Sequence, residues 1–189
     1  MISGLDHVIV AVRDLAAGVA AYETLLGRTA CATETKDGVA TALIAAGNIA
    51  MELMAPVGES EGARRLSAAL EDGEGLKSLV FAVDDIERAH RRAERVGLAP
   101  EAVRTAPAWR SFRADMGRTH GVRLFFMQRA APLTHSAMTA GGVSDLDHVV
   151  IRTPDPDRAA ALYGARLGLD MRLDREVRGS RLMFFTPSR

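Results

Sequence analysis

The sequence predicts an α+β fold built from repeated βαβββ modules, and three observations support this prediction. The segment Leu5–Gly27 matches the segment Leu146–Gly168 at an offset of 141 positions, with 9 of 23 residues identical. The apolar pattern of the first strand returns at about half that offset, over Leu76–Val83. Within the first copy, apolar periodicity and turn signals give the order strand, helix, strand, strand, strand. We therefore interpret the chain as one unit of roughly 70 residues that is used about three times.

The composition is typical of a globular protein that acts on small molecules. Hydrophobic residues make up 48% and charged residues 25% of the 189 residues, and Lys plus Arg equals Asp plus Glu at 24 each. A balanced charge does not favour a nucleic-acid or membrane partner. The single cysteine, Cys31, fits a reducing compartment. Since the sequence shows neither a signal peptide nor an apolar run of the ~20 residues that a bilayer requires, we expect a cytoplasmic protein with a small-molecule substrate.

The first module begins with a strand over His7–Val12, which is rich in valine and isoleucine. Asp14 is a candidate N-cap for the helix that follows. The helix has one apolar stripe at positions i, i+4, i+7 and i+11, formed by Leu15, Val19, Tyr22 and Leu26. Gly27 stands where a glycine can end a helix in the left-handed conformation.

Two turn dipeptides then divide the rest of the module into three strands. Asp37-Gly38 and Gly47-Asn48 are both typical of tight hairpins. They separate three short strand candidates, which are Thr29–Lys36, Val39–Ala45 and Ile49–Met54. The module closes at Pro56.

His7 and Glu52 are the candidate functional residues of this module. Glu52 is the one charged residue within Ile49–Met54, and an ionised carboxylate in such a strand is costly unless it is paired, hydrogen-bonded or metal-bound. A solvated edge position for Glu52 and a structural role for His7 would also explain the pattern. Two facts favour function: the histidine recurs as His148, and Glu52 lies in the last strand of the module that His7 opens.

The second module keeps the pattern of elements but not these side chains. Its first strand is Leu76–Val83, and Asp85 caps a helix that runs through Val96. Ser78 occupies the position of His7, and no acidic residue occurs between Gly117 and Ala130, where the last strand lies. This module therefore lacks the pair that the first module carries.

This arrangement resembles the vicinal oxygen chelate superfamily, and most of all its glyoxalase, bleomycin-resistance and dioxygenase branch. The resemblance rests on Leu-Asp-His followed by Val-Ile-Val, a helix that starts at an aspartate, a Leu-Gly exit and a glutamate in the fourth strand. It implies βαβββ modules that pair into curved mixed sheets around a cup, the glyoxalase/dioxygenase-like fold. It also implies a divalent metal in the cup, held by residues of the first and fourth strands.

Carried onto this sequence, the resemblance implies His7, Glu52 and His148 as metal ligands and Glu52 also as a catalytic base. Imidazole and carboxylate ligands with open positions suit Zn, Ni, Mn or Fe(II). Because a cup of the first and second modules offers only two protein ligands, the metal is not assured. Trp109 and Arg113, in the predicted third strand of the second module, are candidates for substrate binding, although surface roles would also explain them.

The predicted domain organisation follows from the repeats. Residues 1–130 would form a glyoxalase-like domain of two modules, at about 4–56 and 75–129, and residues 131–144 a linker that contains a solvated His135. Residues 145–189 would form an incomplete third module with strands at Asp147–Arg152, Met171–Arg178 and Arg181–Thr186. The fourth strand, with its expected carboxylate, would fall past Arg189. The sequence thus predicts either a piece of a longer chain or an edge covered by another subunit, and we expect a homodimer.

Three functions stay open at this point. The first is a metal-dependent, glyoxalase-type enzyme with lyase or isomerase chemistry on a small oxygenated substrate, in which a carboxylate moves a proton. The second is an extradiol-type dioxygenase, in which His148 would be the ligand present. The third is a non-catalytic binding protein of the bleomycin-resistance type, which the altered second module favours.

Overall fold

The computed structural model describes residues 1–187 and divides the chain into two compact units. One unit contains Asp6–Leu79 together with Pro132–His148, and the other contains Met1–Leu5, Val80–Ala131 and the chain from Val149 onward. Among the described residues, no helix combines the length and the apolarity needed to cross a membrane.

The first module has the predicted order of one strand, one helix and three strands. Its elements are β1 (Ile2–Ala11), α1 (Leu15–Leu26), β2 (Ala32–Lys36), β3 (Val39–Ala45) and β4 (Ala50–Pro56). The predicted cap is confirmed, since the Asp14 carboxylate accepts a hydrogen bond from the Ala17 amide at 2.9 Å. Gly27 ends α1 with a φ of 60°, and Asp37 and Gly38 form the β2–β3 turn with φ values of 45° and 66°. All three residues are in the left-handed region that a side chain disfavours.

The second module repeats this order after an intervening helix, α2 (Glu61–Leu70). Its elements are β5 (Gly75–Val83), α3 (Ile86–Arg95), β6 (Arg104–Ala106), β7 (Trp109–Arg113) and β8 (Arg123–Arg129), with a short 3₁₀ turn at Met116–Arg118. Phe126 stacks on Phe112 with ring centroids 4.7 Å apart, and Phe81 lies 5.8 Å from Phe126. These rings form the aromatic part of the core under α3.

The eight strands of the two modules form one mixed sheet in the order β2-β3-β4-β1-β5-β8-β7-β6. β1 and β4 are parallel, whereas β4 and β3 are antiparallel. A core cluster between this sheet and α1 contains Val10, Val12, Ala42, Ile44, Leu53 and Ala55. The predicted fold class, α+β with βαβββ modules, is confirmed.

Residues 131–144, which the sequence predicts to be a linker, make specific contacts with the first module. The guanidinium of Arg28, which is buried, donates hydrogen bonds to four carbonyl oxygens, those of Ala45, Ser136, Val143 and Ser144. His135 is exposed but bonds through Nδ1 to the Ala46 carbonyl at 2.8 Å, so the expectation that it is only solvated is wrong. This stretch is thus fixed to the end of α1 and to the β3–β4 turn.

The third copy is regular only in part. The strand predicted over Asp147–Arg152 does not form, and that prediction is wrong. α4 (Pro156–Ala160) continues into a π-helical turn, Ala161–Arg166, and an antiparallel hairpin follows. The hairpin strands, β9 (Asp170–Val177) and β10 (Ser180–Thr186), agree with the prediction within a residue. Among residues 1–187 they form a sheet of their own.

Candidate functional site

The pairing of β1 with β4 places His7 and Glu52 on one face of the sheet. His7 lies opposite Ala50 and Ile9 lies opposite Glu52 in the parallel register. Side chains alternate along a strand, so Val10 faces the core under α1 while His7 and Ile9 face the other way. Glu52 shares that face, and its Oε2 atom lies 3.2 Å from Nε2 of His7. The prediction that these two residues belong to one site is therefore supported by their contact.

Asp6 is the third member of the site, and the sequence reasoning missed it. Its Oδ1 atom lies 2.6 Å from Nδ1 of His7. The imidazole is thus held between two carboxylates, one on each ring nitrogen. The signal that could have found Asp6 is the Asp-His dipeptide itself, because it recurs at Asp147-His148.

The three side chains differ in exposure. The side chain of His7 is 4% exposed and that of Asp6 is 8% exposed, whereas that of Glu52 is 23% exposed. Asp6, His7 and Glu52 thus form a hydrogen-bonded row. Glu52 is the residue of this row whose side chain can contact a ligand directly, whereas the side chains of His7 and Asp6 are buried.

The hydrogen bonds of His7 require more than one proton among the side chains of Asp6, His7 and Glu52. An ionised carboxylate only accepts, so Nδ1 donates to Asp6, and a second proton must lie between Nε2 and Glu52. Burial disfavours the charged imidazolium, but the hydrogen bonds to Asp6 and Glu52 and the negative charge of both carboxylates outweigh burial. The pKa of His7 is raised above its ordinary value of 6.5. The two carboxylates therefore favour the protonated imidazole, whose Nε2 atom lies 3.2 Å from Oε2 of Glu52.

The residues present do not fit a metal site with three protein ligands. Ser78, the counterpart of His7, is buried on β5 and lacks an imidazole. Over residues 1–187, no group of three or more His, Cys, Asp or Glu side chains is arranged to hold a metal ion. His7 and Glu52 are two ligand types that transition metals accept, but two protein ligands make a weak site. A ligand set of His7, Glu52 and His148 stays a prediction.

His148 lies in a different setting from His7. Its side chain is 50% exposed, and its Nδ1 atom lies 2.6 Å from Oδ2 of Asp147. The third copy thus reproduces the local Asp-His contact but not the burial of the ring.

Trp109 and Arg113 lie on β7, the third strand of the second module, as predicted. Arg113 forms an ion pair with Glu101, and neighbouring Arg110 forms one with Glu87. Both arginines therefore have carboxylate partners within the chain, and the substrate-binding role of Trp109 and Arg113 stays a prediction.

The fold agrees with the comparisons with known proteins. The family model described as the glyoxalase-like domain matches residues 5–168, so the chain belongs to that family. The resemblance to the vicinal oxygen chelate superfamily is confirmed. No curated protein is significantly similar to the chain in sequence.

Several solved structures share the fold. Methylmalonyl-CoA epimerase from Mycobacterium tuberculosis is 29% identical over 69% of this chain and 90% of its own, with a TM-score of 0.61. A variant of the Streptomyces coelicolor methylmalonyl-CoA epimerase, in complex with 2-nitronate-propionyl-CoA, is 23% identical over 71% of this chain and 99% of its own, also with a TM-score of 0.61. A methylmalonyl-CoA epimerase bound to methylmalonyl-CoA and NH4+ is 23% identical over 70% and 98% of the two chains, with the same TM-score. This similarity supports the expectation of an enzyme rather than a structural protein.

Proposed function

We propose that this chain is a glyoxalase-type isomerase that moves a proton at the carbon next to a carbonyl group of a small substrate. The observation that carries the proposal is the hydrogen-bonded row Asp6–His7–Glu52, whose outer carboxylate is partly exposed. A partly exposed carboxylate that is oriented by a buried imidazole is well placed to act as a general base, because its second oxygen stays free to meet the substrate.

In the proposed reaction, Glu52 removes the proton from the acidic carbon. Its Oε2 atom is engaged by His7, so Oε1 is the oxygen offered to the substrate. The C–H electron pair moves into the carbonyl group to form an enolate. A water molecule then delivers a proton to the opposite face of that carbon, and Glu52 releases the proton that it took to solvent. Asp6 accepts the Nδ1 hydrogen of His7 and thereby keeps Nε2 directed at Glu52.

A divalent metal, if bound by His7 and Glu52, would polarise the carbonyl oxygen and make the adjacent C–H more acidic. Since the described residues do not supply a third ligand, no step of the proposed reaction depends on a metal. The proton transfer to Glu52 depends only on side chains that the structure brings together.

The substrate class that we propose is an acyl thioester with an acidic C–H next to its carbonyl. The support comes from the similar structures, which by name are epimerases bound to coenzyme A thioesters or their analogues. Methylmalonyl-CoA is therefore the first probe to test, followed by shorter acyl thioesters.

The test is solvent exchange, which does not require the product to be known. The protein is incubated with methylmalonyl-CoA in D₂O, and loss of the α-proton signal is followed by NMR. We expect exchange in the wild type and a loss of about 10²–10⁴-fold in Glu52→Gln, because an amide cannot accept the proton.

The matched control is Glu34→Gln, which makes the same change at an exposed carboxylate of β2 and should leave the exchange rate unchanged. His7→Gln should fall between the two, since an amide still donates to Oε2 but shares no proton. Equal exchange rates in wild type and Glu52→Gln would show that Glu52 is not the base.

A non-catalytic binding protein is the second candidate, and the presence of Ser78 in place of a second-module histidine favours it. In that case calorimetry would show a thioester bound without any exchange of its α-proton. An extradiol-type dioxygenase would instead cleave a catechol under Fe(II) loading.

A further inference from the structure

The Glu52 side chain lies between two apolar side chains on the sheet. In the antiparallel pairing of β3 with β4, Leu43 lies directly opposite Glu52, and in the parallel pairing of β4 with β1 the opposite residue is Ile9. Ala42 and Ile44 belong to the core cluster under α1, so Leu43, which stands between them, lies on the other face of the sheet with Glu52. Neither cross-strand neighbour carries a charge or a side-chain hydrogen-bond donor. The two neighbouring strands therefore give the carboxylate apolar surroundings.

The apolar neighbours differ in how much of them a ligand can reach. Ile9 is only 9% exposed, whereas Leu43 is partly exposed, as is Glu52. Met54, the next residue of β4 on this face, is also partly exposed and lies opposite Thr41. Cross-strand neighbours have Cβ atoms about 4.5–5.5 Å apart, whereas residues i and i+2 of one strand are about 6.6 Å apart. Leu43 is thus the nearest accessible apolar side chain beside Glu52.

The chemistry of the proton transfer limits what can lie on Leu43. When the α-hydrogen of a thioester points at Oε1 of Glu52, the other groups on that carbon spread around the C–H axis toward the neighbours of the carboxylate. The carbonyl oxygen gains negative charge in the enolate and requires a hydrogen-bond donor or a cation. Leu43 offers neither, and a polar group placed on it would lose water without gaining a hydrogen bond. An alkyl group is the substituent that this position favours.

We propose that the substrate carries a short alkyl group on the carbon that loses the proton, and that Leu43 limits the size of this group. The inference rests on the proposed function, since it takes Glu52 as the base. Leu43 occupies the space beside the base into which a longer chain would extend. The residue therefore acts on the choice of substrate and not on the proton transfer itself.

The test compares α-proton exchange in D₂O for two thioesters that differ by one methylene group, methylmalonyl-CoA and ethylmalonyl-CoA. We expect the ratio of kcat/KM for the ethyl to the methyl compound to rise about tenfold or more in Leu43→Ala, because the removed atoms make room for the longer group. Leu43→Phe fills the same space and should lower the ratio. Both rates are measured on one preparation, so a folding defect lowers them together and leaves the ratio unchanged.

The matched control is Leu25→Ala, which makes the same change at a side chain of α1 that is 70% exposed and should leave the ratio unchanged. If Leu43→Ala does not fold, Leu43→Val removes less and should shift the ratio in the same direction. A ratio that stays constant in the Leu43 variants while exchange continues would overturn the role of Leu43 and leave Glu52 as the base. A wild type that exchanges neither thioester would instead show that the proposed function is wrong, and this inference with it.

Discussion

The first module and the third copy carry the same sequence signature but use it differently. In both, an aspartate binds Nδ1 of the following histidine at 2.6 Å, and in both a glycine with positive φ ends the helix. His7 is buried against Glu52, whereas the side chain of His148 is half exposed. The dipeptide thus determines the local contact, and the neighbouring strand β4 determines whether the imidazole is enclosed and given a second carboxylate.

The helix of the third copy is also less regular than the helix of the first module. α1 is a regular helix of 12 residues that packs its apolar stripe on the core cluster. Its counterpart has only five α-helical residues before a π-helical turn that contains Tyr163. Within residues 1–187, the Tyr163 hydroxyl is buried without a hydrogen-bond partner. A complete four-stranded layer therefore favours a regular helix over it, and a hairpin alone tolerates an irregular one.

The largest expected difference in stability between the first module and the third copy comes from a cavity made in the core of the first module. Leu53 is fully buried in the core cluster, so Leu53→Ala should destabilise the protein by about 2–5 kcal/mol. Leu173→Ala in the hairpin removes the same atoms from an exposed position and should cost less than ~1 kcal/mol. Urea unfolding of both variants checks the difference, and equal losses would mean that the hairpin is as closely packed as the module.

The next largest effect concerns the two histidines. His7→Ala leaves Asp6 and Glu52 without their common partner at a buried position, which should cost about 2–4 kcal/mol. His148→Ala should stay within ~0.5 kcal/mol, because its side chain is half exposed. Thermal unfolding monitored by circular dichroism measures the stability of both variants. A large loss of stability in His148→Ala would contradict the difference in burial between the two histidines.

The pH dependence of stability sharpens the same comparison. The pKa of His7 is raised in the folded protein above 6.5, so its contribution is fully present below about pH 6.5 and is lost as the pH rises through the folded value. We expect the difference in unfolding free energy between wild type and His7→Gln to be largest in mildly acidic buffer and to shrink as the pH rises through the folded pKa of His7. A difference that does not vary with pH would show that the imidazole is not charged between its two carboxylates.

The smallest expected effect is a gain in stability at Tyr163. Its hydroxyl is buried and has no hydrogen-bond partner in the part of the chain that the structure describes, and burial raises its pKa to about 12. Tyr163→Phe removes this unsatisfied group and should raise stability by about 0.5–1.5 kcal/mol. Tyr22→Phe, the same change at the matching position of α1, is the control and should change little, since Tyr22 is only partly buried. A loss of stability in Tyr163→Phe would mean that the hydroxyl has a partner in solution.

Sequence patterns were sufficient where the determinants are local. The cap at Asp14, the exit at Gly27 and the turn at Asp37-Gly38 depend on a few adjacent residues, and each was predicted. The grouping of His7 with Glu52 came instead from the resemblance to a family that uses residues of the first and fourth strands. Their direct contact, at 3.2 Å, was not predicted.

The failures concern features that depend on distant parts of the chain. The apolar run at Asp147–Arg152 matches β1, but β1 pairs with β4, and in residues 1–187 the third copy offers no such neighbour. The sequence did not indicate that Arg28 is buried and holds the linker. An arginine after a helix is ordinarily exposed, and its four carbonyl partners lie elsewhere in the sequence. A run of small and polar residues at 130–144 predicts a tether, and only the structure shows where it is held.

The position of Arg28 has a practical consequence for anyone who shortens this protein. A chain cut at residue 130 would contain both βαβββ repeats, yet it would strip the guanidinium of three of its four acceptors, those of Ser136, Val143 and Ser144. Loss of three of its four acceptors leaves this cation less well compensated than in the intact chain. The smallest autonomous piece that retains His7 and Glu52 therefore ends beyond Ser144, and the repeat boundary is the wrong place to cut.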